Sequence, residues 1–348
     1  MTYFKRVYDL TGTRFWINNI TPDEARMAID AGATGCTQNP SYCWKMLNHP
    51  ADKENALRIL KESLEESDND NEVESILQRK LVKRVSDVFM PVWEMSHGKQ
   101  GYVSIQGDPI HEEDPRVIID EGRKNHTMNP NVMIKIPATR AGLKAMETLI
   151  TENIPINATE VMGLSQALDI CKMYRSVSEK TGFSPVIYYS LITGIYDEYL
   201  HRFVNENKID ISSDILHYAG LIIAKKVYAV TKSHYPGVGF IGGGVRGLHH
   251  FTEMVGADVC ITMNWEGQAD ELLKQDYPVI PRFYNPVPDI YLDELLTKVS
   301  EFRRAWYENG LTPDEYECFG PVEYFRHMFI DAWEKTLALI GEMRKKNQ

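Results

Sequence analysis

One lysine interrupts an otherwise apolar run, Val132-Met133-Ile134-Lys135-Ile136-Pro137. Apolar residues on both parities mark a strand of a parallel sheet that is covered on both faces. Lys135 then lies inside the protein, on the face of Met133 and opposite Ile134 and Ile136. Burial disfavours the charged form of a lysine and frees its amine near neutral pH. A free, buried amine is the nucleophile that Schiff-base chemistry on a carbonyl requires. The bland alternative is a lysine at a strand end whose stem carries the ammonium to solvent. Polar side chains also collect at the ends of other strand-like runs: Asn18, Thr37 with Asn39, Gln106, Asn157 with Thr159, Ser190, Arg246 and Asn264. Each has a structural explanation alone, since Asn and Thr cap helices and form turns. Arg246 can likewise open a helix after the Gly242-Gly243-Gly244 turn. Gathered around one buried amine, they point to a site.

The elements that must position these residues alternate. Strand-like runs at Arg14–Asn18, Ala33–Thr37, Gly101–Gly107, Val132–Pro137, Ile154–Thr159, Pro185–Ser190, Val238–Ile241 and Asp258–Thr262 are each followed by helical spacing. Thr21-Pro22 and Thr139 open helices, and Gly182 closes one. No hairpin signal joins any two strands. The pattern predicts an α/β protein, a single (β/α)8 TIM barrel over residues 1–348. A doubly wound open sheet is the alternative, weakened because no glycine fingerprint follows the first strand. In a barrel the chemistry lies at the C-terminal ends of the strands, where the polar residues fall. Residues 268–348 are too long for one barrel helix and are expected to form a helical extension covering the barrel. The acidic stretch from Glu62 to Asn71 reads as a solvated helix end and turn.

Hydrophobic residues make up 43% of the 348-residue chain, enough for a proper core. A formal net charge of -11 argues against nucleic acid or an anionic membrane as partner. The N-terminus lacks the apolar run of a signal peptide, and no stretch approaches a membrane-spanning length. Five scattered cysteines, Cys36, Cys43, Cys171, Cys260 and Cys318, fit free thiols in a reducing cytoplasm. No metal site is expected: His249 and His250 are adjacent, and no carboxylate lies at ligand spacing around them. Homo-oligomer formation is left open.

Thr37-Gln38-Asn39-Pro40 resembles the Thr-x-Asn-Pro signature of transaldolases, and Ile134-Lys135-Ile136-Pro137-Ala138-Thr139 resembles their lysine signature. Ile156-Asn157-Ala158-Thr159 is similar to their Asn-x-Thr strand. Phe15-Trp16-Ile17-Asn18-Asn19, Gly101-Tyr102-Val103-Ser104 and Ala332-Trp333-Glu334-Lys335 also resemble family segments. The resemblance implies a class I aldolase mechanism within carbohydrate metabolism such as the pentose phosphate pathway. Lys135 forms an imine with C2 of a ketose, C3–C4 cleavage releases an aldehyde, and a dihydroxyacetone unit stays bound as an enamine. That unit is passed to another aldehyde in transaldolases and released by hydrolysis in fructose-6-phosphate aldolases. The resemblance further implies that Thr159 holds the catalytic water, that Asn39 and Asn157 bind substrate hydroxyls, and that neither metal nor organic cofactor takes part. Thr37, Ser190 and Asn264 complete the expected sugar site.

Departures from the pattern are equally informative. Family transaldolases carry an aspartate where Asn18 stands and a glutamate where Gln106 stands, and an amide cannot accept a proton at neutral pH. Tyr188, on the inward parity of Ser190, is a candidate replacement. Glu160 is another, although strand alternation points it away from Thr159. The family's phosphate-binding arginine after the sixth strand is replaced by Ile195, and its Ser-x-Arg by Gly244-Val245-Arg246. Losing one of two arginines weakens phosphate recognition. The expected substrate is therefore a small sugar that is unphosphorylated, sulfonated or otherwise modified. The alternatives are a stand-alone aldolase and a degraded, non-catalytic sugar-binding barrel.

Overall fold

Eight parallel strands hydrogen-bond in sequence order and close on themselves: β1 (Arg14–Asn18), β2 (Ala33–Gln38), β3 (Tyr102–Ile105), β4 (Val132–Pro137), β5 (Ile156–Val161), β6 (Ile187–Ile192), β7 (Gly239–Gly243) and β8 (Cys260–Met263). β8 returns to β1 through the pairs from Arg14–Cys260 to Ile17–Met263. The computed structural model describes residues 1–346. Helices separate the strands, as the alternation predicts. β6 begins two residues later than expected, because Pro185 has no N–H to give to a ladder; the strand runs on to Ile192 instead.

Local chemistry starts and stops the helices where the sequence signals them. Thr21 and Glu24 form a reciprocal capping box at Pro22–Ala31. Thr139 accepts from the Gly142 N–H at 3.0 Å and caps the helix after β4. A helix at Tyr3–Thr11, capped by Thr2 and closed by Gly12, precedes the barrel and was not among the expected elements. It is held by Phe4 stacked on Phe15 at 4.0 Å.

The barrel interior is layered. Its floor is a cluster of Trp16, Tyr102, Met133, Tyr188, Ile241 and Cys260. Gly35 and Gly239 make room for it: a Cβ on either would lie 2.3–2.4 Å from the Trp16 or Tyr188 ring. Above the floor, inward residues turn polar, with Thr37, Ser104, Lys135, Asn157 and Ser190 all buried. Beyond β8, the helices include Asp289–Lys298, Ser300–Trp306 and a long C-terminal helix, Gly320–Lys346, that crosses the upper end of the barrel.

Candidate active site

Lys135 sits mid-strand on β4, 6% exposed. Burial pulls its pKa down to about 8, against the opposing charges of Glu160 and Glu112. Its ammonium nitrogen is 5.6 Å from the Phe329 ring centre. It borders a cavity of about 210 Å³ at the C-terminal ends of the strands. Asn18, Thr37, Asn39, Thr159, Ser190, Gly244, Arg246 and Asn264 line the same cavity, so the fold brings together most of the residues singled out in the sequence. Phe325, Met328 and Phe329 of the C-terminal helix roof it.

Hydrogen bonds fix how these side chains present themselves. Thr37 donates to Asn18 Oδ1 at 2.9 Å, so the hydroxyl of Thr262, 2.8 Å away, donates to Thr37. Asn18 Nδ2 donates to Asn264 Oδ1 at 3.1 Å. Asn39 Oδ1 accepts from Asn19 Nδ2 and the Ser41 N–H. Ser190 donates to Asn157 Oδ1 at 2.7 Å, and Asn157 Nδ2 donates to Ser104. Asn157 thus lies beneath the chamber as a support for Ser190. The Thr159 hydroxyl is buried with no partner.

Two sequence expectations change. Tyr188 does face inward, but alternation gives a face without a depth. Two residues are about 6.6 Å of strand, which puts Tyr188 in the floor, 5.4 Å from Trp16 by ring centres. Burial pushes its phenol well above the ordinary range, and it does not border the chamber. Glu160 is the opposite case. Its backbone is left-handed (φ 58°), and the β5–β6 ladder breaks between Ala158 and Val161. This bulge cancels the alternation that would turn the side chain outward. Gln166 fastens it, taking the Met162 N–H on Oε1 and donating to the Glu160 and Ala138 carbonyls. The fully buried Glu160 accepts from Gln106 Nε2 at 2.8 Å, while its Oε2 has no partner. Burial raises its pKa; Gln106 and the charges of Lys135 and Arg326 oppose that rise.

Gln106 lies outside the main chamber, in a smaller cavity with Glu112 and Lys135. Glu112 is buried against Arg326 at 2.8 Å. At the far end of the main chamber, Arg246 donates to Glu198, which also accepts from the Tyr324 hydroxyl. Burial works against the Glu198 carboxylate, but Tyr324 and Arg246 hold its pKa below the usual value. Ile192 and Ile195 line the same end.

The fold also supplies the carboxylate that sequence spacing did not place near His249 and His250. Asp197, from the helix after β6, lies 2.9 Å from His250 Nε2, and ligand-capable atoms of all three residues lie within 4.8 Å of one another. Burial pulls His250 down to about 4, leaving a neutral ring hydrogen-bonded to Asp197. As a hydrogen-bonded pair they tie that helix to the turn after β7.

Residues 15–276 match the family model described as Transaldolase/Fructose-6-phosphate aldolase. The chain belongs to this family. Curated relatives named Transaldolase include those of Thiobacillus denitrificans, 30% identical over 47% of each chain, and Mycobacterium ulcerans, 30% identical over 49% of this chain and 47% of the relative. That of Helicobacter pylori is 27% identical over 59% of this chain and 60% of its own. The chain spans about half the length of the first curated relatives it matches. In transaldolase-family terms, Lys135 and the polar strand-end residues from Asn18 to Asn264 fall inside the matched range. The roofing helix lies outside it, and with it Phe325, Arg326 and Phe329. Those residues, together with Thr262 and Glu112, were missed in the sequence. Thr262 alone had a readable signal, the inward parity of the last strand.

Proposed function

We propose that this protein is a transaldolase-like enzyme that forms a Schiff base at Lys135 with a ketose and transfers a dihydroxyacetone unit to an aldehyde. One observation carries the reading: a buried lysine with a lowered pKa opens into a chamber walled by hydroxyl and amide groups. The free amine attacks the C2 carbonyl, and loss of water gives the protonated imine. That imine is the electron sink for breaking the C3–C4 bond. Thr37, Asn39 and Ser190 offer polar groups to the hydroxyls of the three-carbon unit, and the unpartnered Thr159 hydroxyl is a seat for water.

The far end of the chamber favours a substrate without a phosphate. Arg246 is already paired with Glu198, and isoleucine stands at 195, so no free guanidinium clamp among the described residues faces the cavity. A neutral ketose end fits this surface best. A small-molecule sugar as sole substrate class and a cytoplasmic setting go with this reading; no helix among the described residues is long and apolar enough to cross a membrane.

Incubation with dihydroxyacetone and sodium cyanoborohydride, followed by peptide mass spectrometry, tests the proposal. A reduced three-carbon adduct on Lys135, absent from Lys135→Ala, is expected. No adduct would leave a sugar-binding barrel as the better reading. Measuring free dihydroxyacetone from fructose, with and without an acceptor aldehyde, separates transfer from simple aldol cleavage.

A further inference from the structure

We infer that Glu160 is the proton partner of Lys135, taking over the acid/base work for which Asn18 and Gln106 are chemically unsuited. The inference rests on the Schiff-base reading and adds to it a residue that strand alternation would discard.

Three observations converge. The first is the bulge: Glu160 has a left-handed backbone, a conformation costly for a side chain this long, and Gln166 holds it there with three hydrogen bonds. The second is where that backbone sends the carboxylate. Gln106 directly follows β3 and Glu160 lies on β5, so their 2.8 Å hydrogen bond spans the end of β4, the strand that carries Lys135. The third is a set of buried atoms without a hydrogen bond around that strand: Glu160 Oε2, Gln106 Oε1, Thr159 Oγ1 and, within the adjoining ion pair, Glu112 Oε1 and Arg326 Nε. Buried polar atoms are almost always paired, and exceptions mark work to be done or a water to be held. The small cavity shared by Gln106, Glu112 and Lys135 leaves about 20 Å³, room for a single water.

Charge balance assigns the roles. Two carboxylates, Glu160 and Glu112, face two cations, Lys135 and Arg326. Arg326 pairs with Glu112 and also reaches Glu113 at 3.6 Å. Asp108, in the same loop as Glu112, adds negative charge from that side. Glu160 is left with one oxygen on an amide and one free, and with Lys135 as the cation available to exchange a proton. When the proton resides on Glu160, the two groups are a free amine and a carboxylic acid on neighbouring strands. Imine formation needs both at once. The nitrogen lone pair attacks C2, the carbonyl π electrons move to oxygen, and a nitrogen proton passes to that oxygen. The carbinolamine hydroxyl then leaves as water with the proton from Glu160, giving the iminium and a Glu160 carboxylate. Hydrolysis of the imine runs the same steps backwards and returns the proton.

The rate of cyanoborohydride trapping of dihydroxyacetone on Lys135, followed by mass spectrometry between about pH 5.5 and 10, tests this. The wild-type profile is expected to have two limbs, rising as the amine is freed and falling as the acid is lost. Glu160→Gln should lower the maximum by about 10²-fold and abolish the falling limb, leaving a single rising limb set by the Lys135 amine alone. Gln106→Glu in the Glu160→Gln background exchanges the two ends of one hydrogen bond and should restore at least tenfold of the rate and the second limb. A packing role would be served by the isosteric amide and would not move the profile. A wild-type adduct with an unchanged rate and profile in Glu160→Gln overturns the inference and leaves the Schiff base standing. If that variant does not fold, a wild-type profile with a single limb overturns it equally. Absence of an adduct in the wild type removes the Schiff base itself, and this inference with it.

Discussion

The guanidinium of Arg246 reaches the chamber with its charge already answered by Glu198, and the proposed preference for a substrate without a phosphate follows from that pairing. In Glu198→Gln the arginine loses its carboxylate partner and becomes available to an anion. The ratio of kcat/KM for fructose 6-phosphate to that for fructose should rise about tenfold, roughly 1.4 kcal/mol of discrimination. An unchanged ratio would mean that Arg246 does not face the end of the substrate. The same pairing shows the reach of residue-level reading. The types and parities of Asn18, Thr37, Asn39, Lys135, Thr159 and Ser190 were legible because strand alternation is a local property. Arg246 was legible as a cation but not as a neutralised one, since Glu198 and Tyr324 come from helices distant in sequence. Tyr188 was misplaced by depth. Glu160 was misplaced by one left-handed residue, which period-two reasoning cannot foresee.

At the scale of elements, the C-terminal helix does what the barrel strands do not. It brings Phe325, Met328 and Phe329 over Lys135 and sends Arg326 down to Glu112. Its second half is moored to the start of the helix Asp70–Met95: the Trp333 indole donates to Asn71, and Arg344 donates to Asp70, each at 2.8 Å. Part of the acidic stretch read as a solvated turn is therefore the mooring point of the roof. Near these moorings the same helix buries Glu74 completely, with neither carboxylate oxygen partnered. Burial pushes its pKa up to about 10. The folded protein keeps this proton while the unfolded chain releases it above about 4.5, so stability falls as pH rises between those values. Glu74→Gln removes the titration. Its Tm should exceed that of the wild type by a few degrees near pH 8 and match it at about pH 4, as followed by circular dichroism. A gain independent of pH would refute a buried neutral acid.

For the whole molecule, eight strands and their order were readable because each is a short apolar run flanked by turn chemistry, and because a parallel barrel joins neighbours in sequence. Closure was expected from that alternation, and the return of β8 to β1 bears it out; how side chains from opposite strands fit inside one ring is what no local pattern encodes. Here the fit rests on Gly35 and Gly239 against the Trp16 and Tyr188 rings. Gly35→Ala would place a methyl inside the indole, and overpacking of this kind costs about 1–3 kcal/mol. A lower urea midpoint with an unchanged slope is the expected result, and an unaltered midpoint would show that the floor can yield.

That aromatic floor also shapes traffic. Trp16, Tyr102, Met133 and Tyr188 plug the barrel below Lys135 and leave the chamber at its roofed upper end. In the transfer reaction proposed above, the aldehyde cut from the donor and the aldehyde that replaces it would occupy that same end in turn. For a two-substrate enzyme built on such a dead-end chamber, the order of events becomes a matter of architecture: the first product has to depart before the second substrate can enter. Steady-state kinetics with two varied substrates would then give parallel rather than converging double-reciprocal lines.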